Sequence, residues 1–545
     1  MKVGLYTYAS AMSLSRRGLL KGAASSAALA SFGGLVAGPA LADADADLRA
    51  AILKIPGVGA GSPTDAHWQE VGKMCLGPTM ANVAEGEFAG VELTFLGLNN
   101  QNLHNFLFRG FLKPWEAYTG AKINWIDLAQ ADYNPRLQQS IATGTVDFDI
   151  IEMGAPFEGD TAGQGLLDEM PDWVKEQIDM TDVVGYLQPP VGTWGGKTYR
   201  ITIDGDCHTF SYRKDYFGEG SISGMAEAPT TWQQVQAVSN TVAGQKDPLT
   251  GLEAYGYLDP LKGWGGFGFY FLEDRASAYA KHPGSPAWLF EPDTMKPMVN
   301  NPAWVQAIQD VMDTMPVLPP DQINADPGTT GFQQFLAGTG SMLCWWGDIG
   351  SNARTSDSSV VGDVVGFSIN PGSDRVYNHA AAAWETPEGG NFAPNMAYLG
   401  WGVYVTNRVS GDEAKRKAAW SAAAHLGGKN LSLWMAAYPS GFQPYRNSHF
   451  NYDEWEAAGY DRGFVEDYLG SNADSYNHPN AAIEPRIPGI FQYYSVAEDE
   501  LAKGYAGQYP SAQATADAIA AAWEKITDQI GRDSQIALYK ASLGM

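Results

Sequence analysis

Apolar and polar residues alternate with period two over Val91-Glu92-Leu93-Thr94-Phe95-Leu96, the pattern of a half-buried strand. The period then lengthens. Leu103, Phe106, Leu107, Phe111 and Trp115 fall at helical spacing, and Tyr118-Thr119-Gly120 closes that helix. Lys122-Ile123-Asn124-Trp125-Ile126 reads as a second strand, Leu137 to Thr143 as a helix stopped by Gly144, and Phe148-Asp149-Ile150-Ile151-Glu152-Met153 as a third strand. Strand, helix, strand, helix, strand at this spacing predicts a parallel α/β sheet. Ligands of such sheets sit beyond the carboxyl ends of the strands. Here those ends are Leu98-Asn99-Asn100 and Gly154-Ala155-Pro156-Phe157-Glu158.

The pattern continues with a strand-like run from Gly196 to Thr202, a polar break at Asp204-Gly205-Asp206, and a second run from Thr209 to Arg213. The break reads either as a turn or as a crossing between lobes. Thr231 caps a helix that begins at Trp232. Further helices are predicted from Pro302 to Met315, Phe332 to Leu336, Glu413 to Leu426 and Ala512 to Ile530. Met342-Leu343-Cys344-Trp345-Trp346 reads as a buried strand ending in Gly347-Asp348, and Tyr398 to Val405 as a late strand. Residues 43–88 mix short helical patterns with turn residues and read as an N-terminal extension. No tandem repeat of solenoid or propeller period is present.

Composition narrows the functions. The 545 residues are 45% hydrophobic and 18% charged, a globular balance of roughly two to four domain-sized units. Asp plus Glu total 61 against 35 for Lys plus Arg, a formal net charge of −26, which repels phosphate and disfavours nucleic acid or anionic lipid as partner. Three cysteines, Cys75, Cys207 and Cys344, allow at most one internal disulfide and make no disulfide scaffold. Phosphate-loop, dinucleotide, His-Glu-x-x-His and Gly-x-Ser-x-Gly patterns are missing, so no cofactor, metal or catalytic nucleophile is expected.

The N-terminus carries Ser15-Arg16-Arg17-Gly18-Leu19-Leu20-Lys21 before a mildly apolar stretch ending in Ala40-Leu41-Ala42. This has the form of a twin-arginine secretory signal over residues 1–42, cleaved near Ala42, and predicts export to the periplasm.

Several of these motifs, in this order, resemble the extracellular solute-binding proteins of ABC importers, in the carbohydrate- and polyol-binding, maltose-binding-protein-like branch. They include Gly144-x-x-Asp147-x-Asp149-Ile150-Ile151, Gly196-Lys197-x-Tyr199, Tyr212-Arg213-Lys214-Asp215, Pro229-Thr230-Thr231-Trp232, Gly338-x-Gly340-Ser341-Met342, Gly400-Trp401-Gly402 and Pro485-Arg486-Ile487-Pro488-Gly489. The resemblance covers about residues 90 to 535. It implies two α/β lobes joined by a hinge, with the ligand cleft between them. Lobe 1 would hold 90–204 and 399–445, and lobe 2 would hold 205–398 and 446–545, after an extension over 43–89. It also implies a monomer that hands a small-molecule carbohydrate or polyol to the permease's transmembrane subunits. The extension and a Pro/Gly-rich insertion around Asn378 to Pro394 depart from the family pattern.

A polyhydroxylated ligand offers apolar C–H faces to aromatic rings and hydroxyls to polar partners. Candidate contacts at the implied positions are Asn99 and Asn100, Gly154 and Glu158 at the first strand ends. Asp206 lies at the first crossing, and Trp264 in a glycine-rich turn. Trp345, Trp346 and Asp348 end the inner strand of the second lobe, and Trp401 lies at the second crossing. Tyr438 and Arg446 flank a Gly-Phe-Gln-Pro turn, and Arg486 and Tyr494 come late in the chain. Adjacent strand residues face opposite ways, so one of Trp345 and Trp346 is expected in the cleft. Trp125, Trp232 and Trp304 are expected in the core. A secreted glycoside hydrolase using a carboxylate pair stands as the alternative.

Overall fold

The computed structural model describes residues 39–55, 63–99, 104–320, 322–323, 325–438 and 440–545. The twin-arginine motif, Asn100 and Leu103 lie outside the described residues. The extension folds as three helices, α1 (Pro39–Ile52), α2 (Asp65–Met74) and α3 (Gly77–Asn82). The regular architecture follows with β1 (Glu92–Leu98), α4 (Asn105–Thr119), β2 (Lys122–Leu128), α5 (Gln130–Thr143) and β3 (Ile150–Gly154). Gly120 and Gly144 stop α4 and α5 in the left-handed conformation, as their lack of Cβ permits. β1 pairs in parallel with both β2 and β3, as the strand-helix alternation predicts.

The chain continues through β4 (Ile201–Thr202), β5 (His208–Arg213), α6 (Trp232–Val242), β6 (Tyr255–Tyr257), α7 (Gly268–Ala280), α8 (Pro302–Thr314), β7 (Gly340–Trp346) and β8 (Val365–Ser368). A hairpin, β9 (Val376–Asn378) and β10 (Ala383–Glu385), forms the Pro/Gly-rich insertion. Then come β11 (Asn395–Met396), β12 (Trp401–Val405), α9 (Glu413–Leu426), α10 (Lys429–Ala437), α11 (Tyr452–Ala457), α12 (Arg462–Tyr476), β13 (Ala482–Ile483), α13 (Ile490–Tyr505), α14 (Ala512–Ile530) and α15 (Arg532–Ser542).

Two main sheets organise the molecule. The first has order β2-β1-β3-β12-β4, the second β6-β7-β5-β8. The chain thus forms two α/β lobes and passes between them at 203–207, at 397–400 and again between α10 and α11. The first lobe packs Leu93, Phe95, Phe108, Phe111 and Trp115 of β1 and α4 against Trp420 and Trp434 of α9 and α10. The second is built around stacked rings: Trp304 lies 5.4 Å from both Trp288 and Phe269, and Phe290 lies 4.9 Å from Trp523.

Two strand expectations shrink. The run from Gly196 to Thr202 yields only the two residues of β4, because Gly195 and Gly196 take positive φ and a local bridge joins Trp194 to Lys197. The late strand starts at Trp401, not Tyr398. Tyr398, Leu399 and Gly400 have φ of 72, 50 and 83°, outside the β region. Cys75, Cys207 and Cys344 are buried and free, so the one disulfide the count allowed is not formed.

Candidate functional site

The passages between the lobes are lashed together. Asp204 Oδ1 accepts hydrogen bonds from the backbone N–H groups of Gly205 (2.8 Å) and Gln443 (2.6 Å). Gln443 donates from Nε2 to Asp206 Oδ1 at 2.6 Å, and its Oε1 accepts from the N–H of Gly347 at 2.7 Å. Gln443 therefore ties the 203–207 crossing to the end of β7. The second crossing lies directly on the first: a Cβ at Gly400 would stand 2.2 Å from the carbonyl oxygen of Asp204. Only glycine fits there, both for space and for its positive φ.

Three buried carboxyls meet at this junction. Burial pushes Asp204 up to about 7. Burial and the neighbouring Asp204 and Asp348 push Asp206 well above the carboxylate range. Asp348, at the end of β7, is raised by burial and then by Asp204. Two adjacent carboxyls in a low-dielectric site do not both ionise readily, so burial and the charge of each on the other favour a protonated carboxyl in the Asp204–Asp206 pair.

Around the junction runs a continuous set of aromatic rings. Trp264 lies 6.3 Å from Trp345, and Trp345 lies 5.3 Å from Trp346. Phe267 lies 6.0 Å from Trp346 and 5.0 Å from Tyr398, and Tyr398 lies 4.9 Å from Trp401. Phe157 of the first lobe stacks on Phe491 of the second at 4.6 Å, and Phe491 lies 5.4 Å from Phe267. The four candidate tryptophans thus share one layer, and both Trp345 and Trp346 join it. Tyr270 lies 6.2 Å from Trp346 and 5.2 Å from Tyr494, which places Tyr494 behind the layer beside Glu273 and Glu484. Burial pushes Glu484 up to about 8. Gly154 makes room for Tyr398: a Cβ there would stand 2.1 Å from Tyr398 Cζ.

Within this layer, buried polar atoms lack a hydrogen-bond partner among the described residues. They are Glu152 Oε2 on β3, Asp206 Oδ2 and Tyr398 OH on the two crossings, and Asp348 Oδ1 after β7. The Tyr398 hydroxyl is raised by burial and then by Tyr133, Asp206, Glu484 and Glu152, which puts all four within electrostatic reach of it. The other oxygen of Glu152 pairs with His104, whose ring lies 4.8 Å from Trp401. A buried polar group without a partner costs about 1–3 kcal/mol, so these atoms call for a hydroxylated or protonated partner. Beside the layer opens a cleft of about 680 Å³, lined from the first lobe by Asn134, Gln138 and Phe157 and from the second by Trp264, Phe491 and Gln492.

Other candidates are placed elsewhere. Glu158 and Arg486 engage each other: Arg486 donates to Glu158 Oε2 at 2.6 Å and to the carbonyls of Thr193 and Pro190, while Tyr404 OH donates to Glu158 Oε1 at 2.8 Å. Their polar atoms are committed to an ion pair between the lobes. Tyr438 stacks on Trp434 at 5.0 Å in the first-lobe core. Arg446 is buried and donates to Ser432 Oγ and the carbonyls of Asp179 and Gly427, which fixes the chain after α10. Asn99 is exposed, and its backbone bonds to Leu128. Trp232 and Trp304 lie in the core as expected, while Trp125 is half-buried against Phe95. Sequence reasoning missed Glu152, Tyr133, Phe267, Tyr398 and Phe491. Glu152 did carry a signal, a carboxylate inside an otherwise apolar strand.

Among the described residues no helix is long and apolar enough to cross a membrane, and no cluster of His, Cys, Asp and Glu could hold a metal ion. No curated relative matches the chain in sequence. In fold it is similar to an ABC-transporter solute-binding protein of Agrobacterium radiobacter K84 solved with ribitol: TM-score 0.64, 19% identity, covering 81% of this chain and 99% of that one. The corresponding protein of Agrobacterium vitis S4 with bound D-mannitol gives TM-score 0.62, 18% identity and coverages of 81% and 99%. Maltose-bound MalE3 of T. maritima gives 0.57, 16%, 80% and 100%. The sequence profile of the family described as bacterial extracellular solute-binding protein matches residues 111–443, more than half of the chain. With both lobes and the profile in agreement, this chain belongs to the bacterial extracellular solute-binding proteins.

Proposed function

We propose that the chain is an exported, non-enzymatic periplasmic receptor that captures a sugar or polyol between its lobes and delivers it to an ABC permease. The observation that carries this reading is the group of partnerless oxygens on Glu152, Asp206, Asp348 and Tyr398 within a layer of indole and phenyl rings. Rings cover C–H faces, and the oxygens meet hydroxyls. Protonated carboxyls can donate as well as accept, which suits a neutral ligand whose hydroxyls do both. The structural neighbours solved with ribitol, D-mannitol and maltose support the same ligand class. The hydrolase alternative finds less support: Asp204 and Asp206 sit two residues apart on one crossing, with Gln443 bonded to both, and do not face each other across a substrate space.

The test is a thermal-shift panel of glycerol, ribitol, mannitol, maltose and longer maltodextrins on the full chain. One of them at 100 times its dissociation constant adds about 2.7 kcal/mol of stability and raises the melting temperature by several degrees. No shift with any of them, together with turnover of a chromogenic glycoside, overturns the reading in favour of the hydrolase.

A further inference from the structure

We propose that α1 of the N-terminal extension is a strap that binds both lobes across the hinge and resists their separation. The extension lies outside the family match over 111–443. Its anchor is Arg49, 5% exposed despite its charge. The guanidinium clasps both carboxylate oxygens of Glu454, from Nε and Nη2 at 2.7 Å each. It also donates to the carbonyl of Ser448 at 2.8 Å and to Asn430 Oδ1 at 3.2 Å. Asn430 in turn donates from Nδ2 to Asp45 Oδ1 at 2.9 Å, one turn earlier on α1. The Trp434 indole donates to the carbonyl of Ile55, and Ile52 is buried in the first-lobe core with Trp434 and Met435.

These partners belong to different lobes. Asn430 and Trp434 are on α10, whose inner face packs into the first-lobe core. Glu454 is on α11, whose Trp455 packs against Tyr460 and Tyr468; α12, which carries Tyr468, lies against β8 and β5 of the second sheet. Between α10 and α11 the chain makes its last passage from one lobe to the other. Any hinge rotation that separates the lobes changes the spacing of α10 and α11. A two-pronged guanidinium–carboxylate pair is sharply directional and does not follow such a change. Opening therefore requires the strap to release either Glu454 or α10, and the cost of that release opposes separation.

The test needs no ligand, so it is independent of the receptor reading. The double substitution Arg49→Met with Glu454→Gln removes the clasp without leaving a buried charge. Ligand-free small-angle scattering of the folded variant should shift to a larger radius of gyration than the parent's. A folded variant that scatters as the parent does overturns the proposal. Hydrogen exchange of the unsubstituted chain decides the matter separately, including where the variant does not fold. Amides of α1 and of the 204–207 crossing should exchange through one common opening that lies below global unfolding. Separate openings, or no opening short of global unfolding, overturn it.

Discussion

Tyr398 concentrates the character of the site in a single side chain. Its ring lies against Phe267 and Trp401, its edge fills the space that Gly154 leaves, and its hydroxyl meets no protein partner among the described residues. A hydroxyl kept for a ligand stabilises the complex, not the fold. Tyr398→Phe should weaken binding of the polyol found by thermal shift about 3- to 10-fold by titration calorimetry, the worth of one neutral hydrogen bond. Its ligand-free melting temperature should stay level or rise slightly. A large fall in melting temperature with unchanged affinity would assign the hydroxyl a structural task instead. Arg486 makes the opposite case, because its donors are committed to Glu158 and two carbonyls. Arg486→Met leaves the buried Glu158 carboxylate with Arg200, 3.4 Å away, and the Tyr404 hydroxyl, and should cost about 1–3 kcal/mol in urea unfolding. Adding Glu158→Gln takes the same carboxylate away from the buried Arg200 and should deepen the loss; recovery instead would show that Arg200 does not depend on Glu158.

Among the elements, the 203–207 crossing couples the hinge to protons. Asp204 titrates at about 7 in the folded chain and near the ordinary 3.8 when unfolded. Between those values the unfolded chain has released a proton that the folded chain keeps. The contribution of this group is therefore full below about pH 4 and falls away as pH rises through 7. Glu484, raised from 4.5 to about 8, acts in the same direction up to that higher pH. Asp204→Asn keeps the acceptor for Gly205 and Gln443 and supplies a permanent donor toward Asp206. Its melting temperature relative to the parent's should climb steadily from pH 5 to pH 8; parallel curves would remove Asp204 from the pH dependence.

The regular elements were legible because their periods are local: α9 and α14 begin and end where Glu413, Leu426, Ala512 and Ile530 predict. The site was only half legible. Trp264, Trp345, Trp346 and Trp401 stand out by composition, and Asp206 and Asp348 by following strand-like runs, but the accompanying oxygens of Glu152 and Tyr398 were not singled out. No sequence period relates those positions, and their meeting depends on how the two sheets face each other. Tyr438 and Arg446 were misleading for the same reason. They are near Gln443 in the chain, but their side chains turn into the first lobe while that of Gln443 turns to the crossings.

At the scale of the whole molecule, two lobes with separate sheets meet over an aromatic layer, and a helical extension spans both. The formal charge of −26 favours solubility and repels phosphate-rich surfaces. The free, buried state of Cys75, Cys207 and Cys344 has a consequence for where this body can be made. Its tertiary structure rests on packing and hydrogen bonding alone, with no covalent cross-link to await. Folding of this polypeptide therefore needs no oxidant or thiol isomerase and should run to completion under reducing conditions.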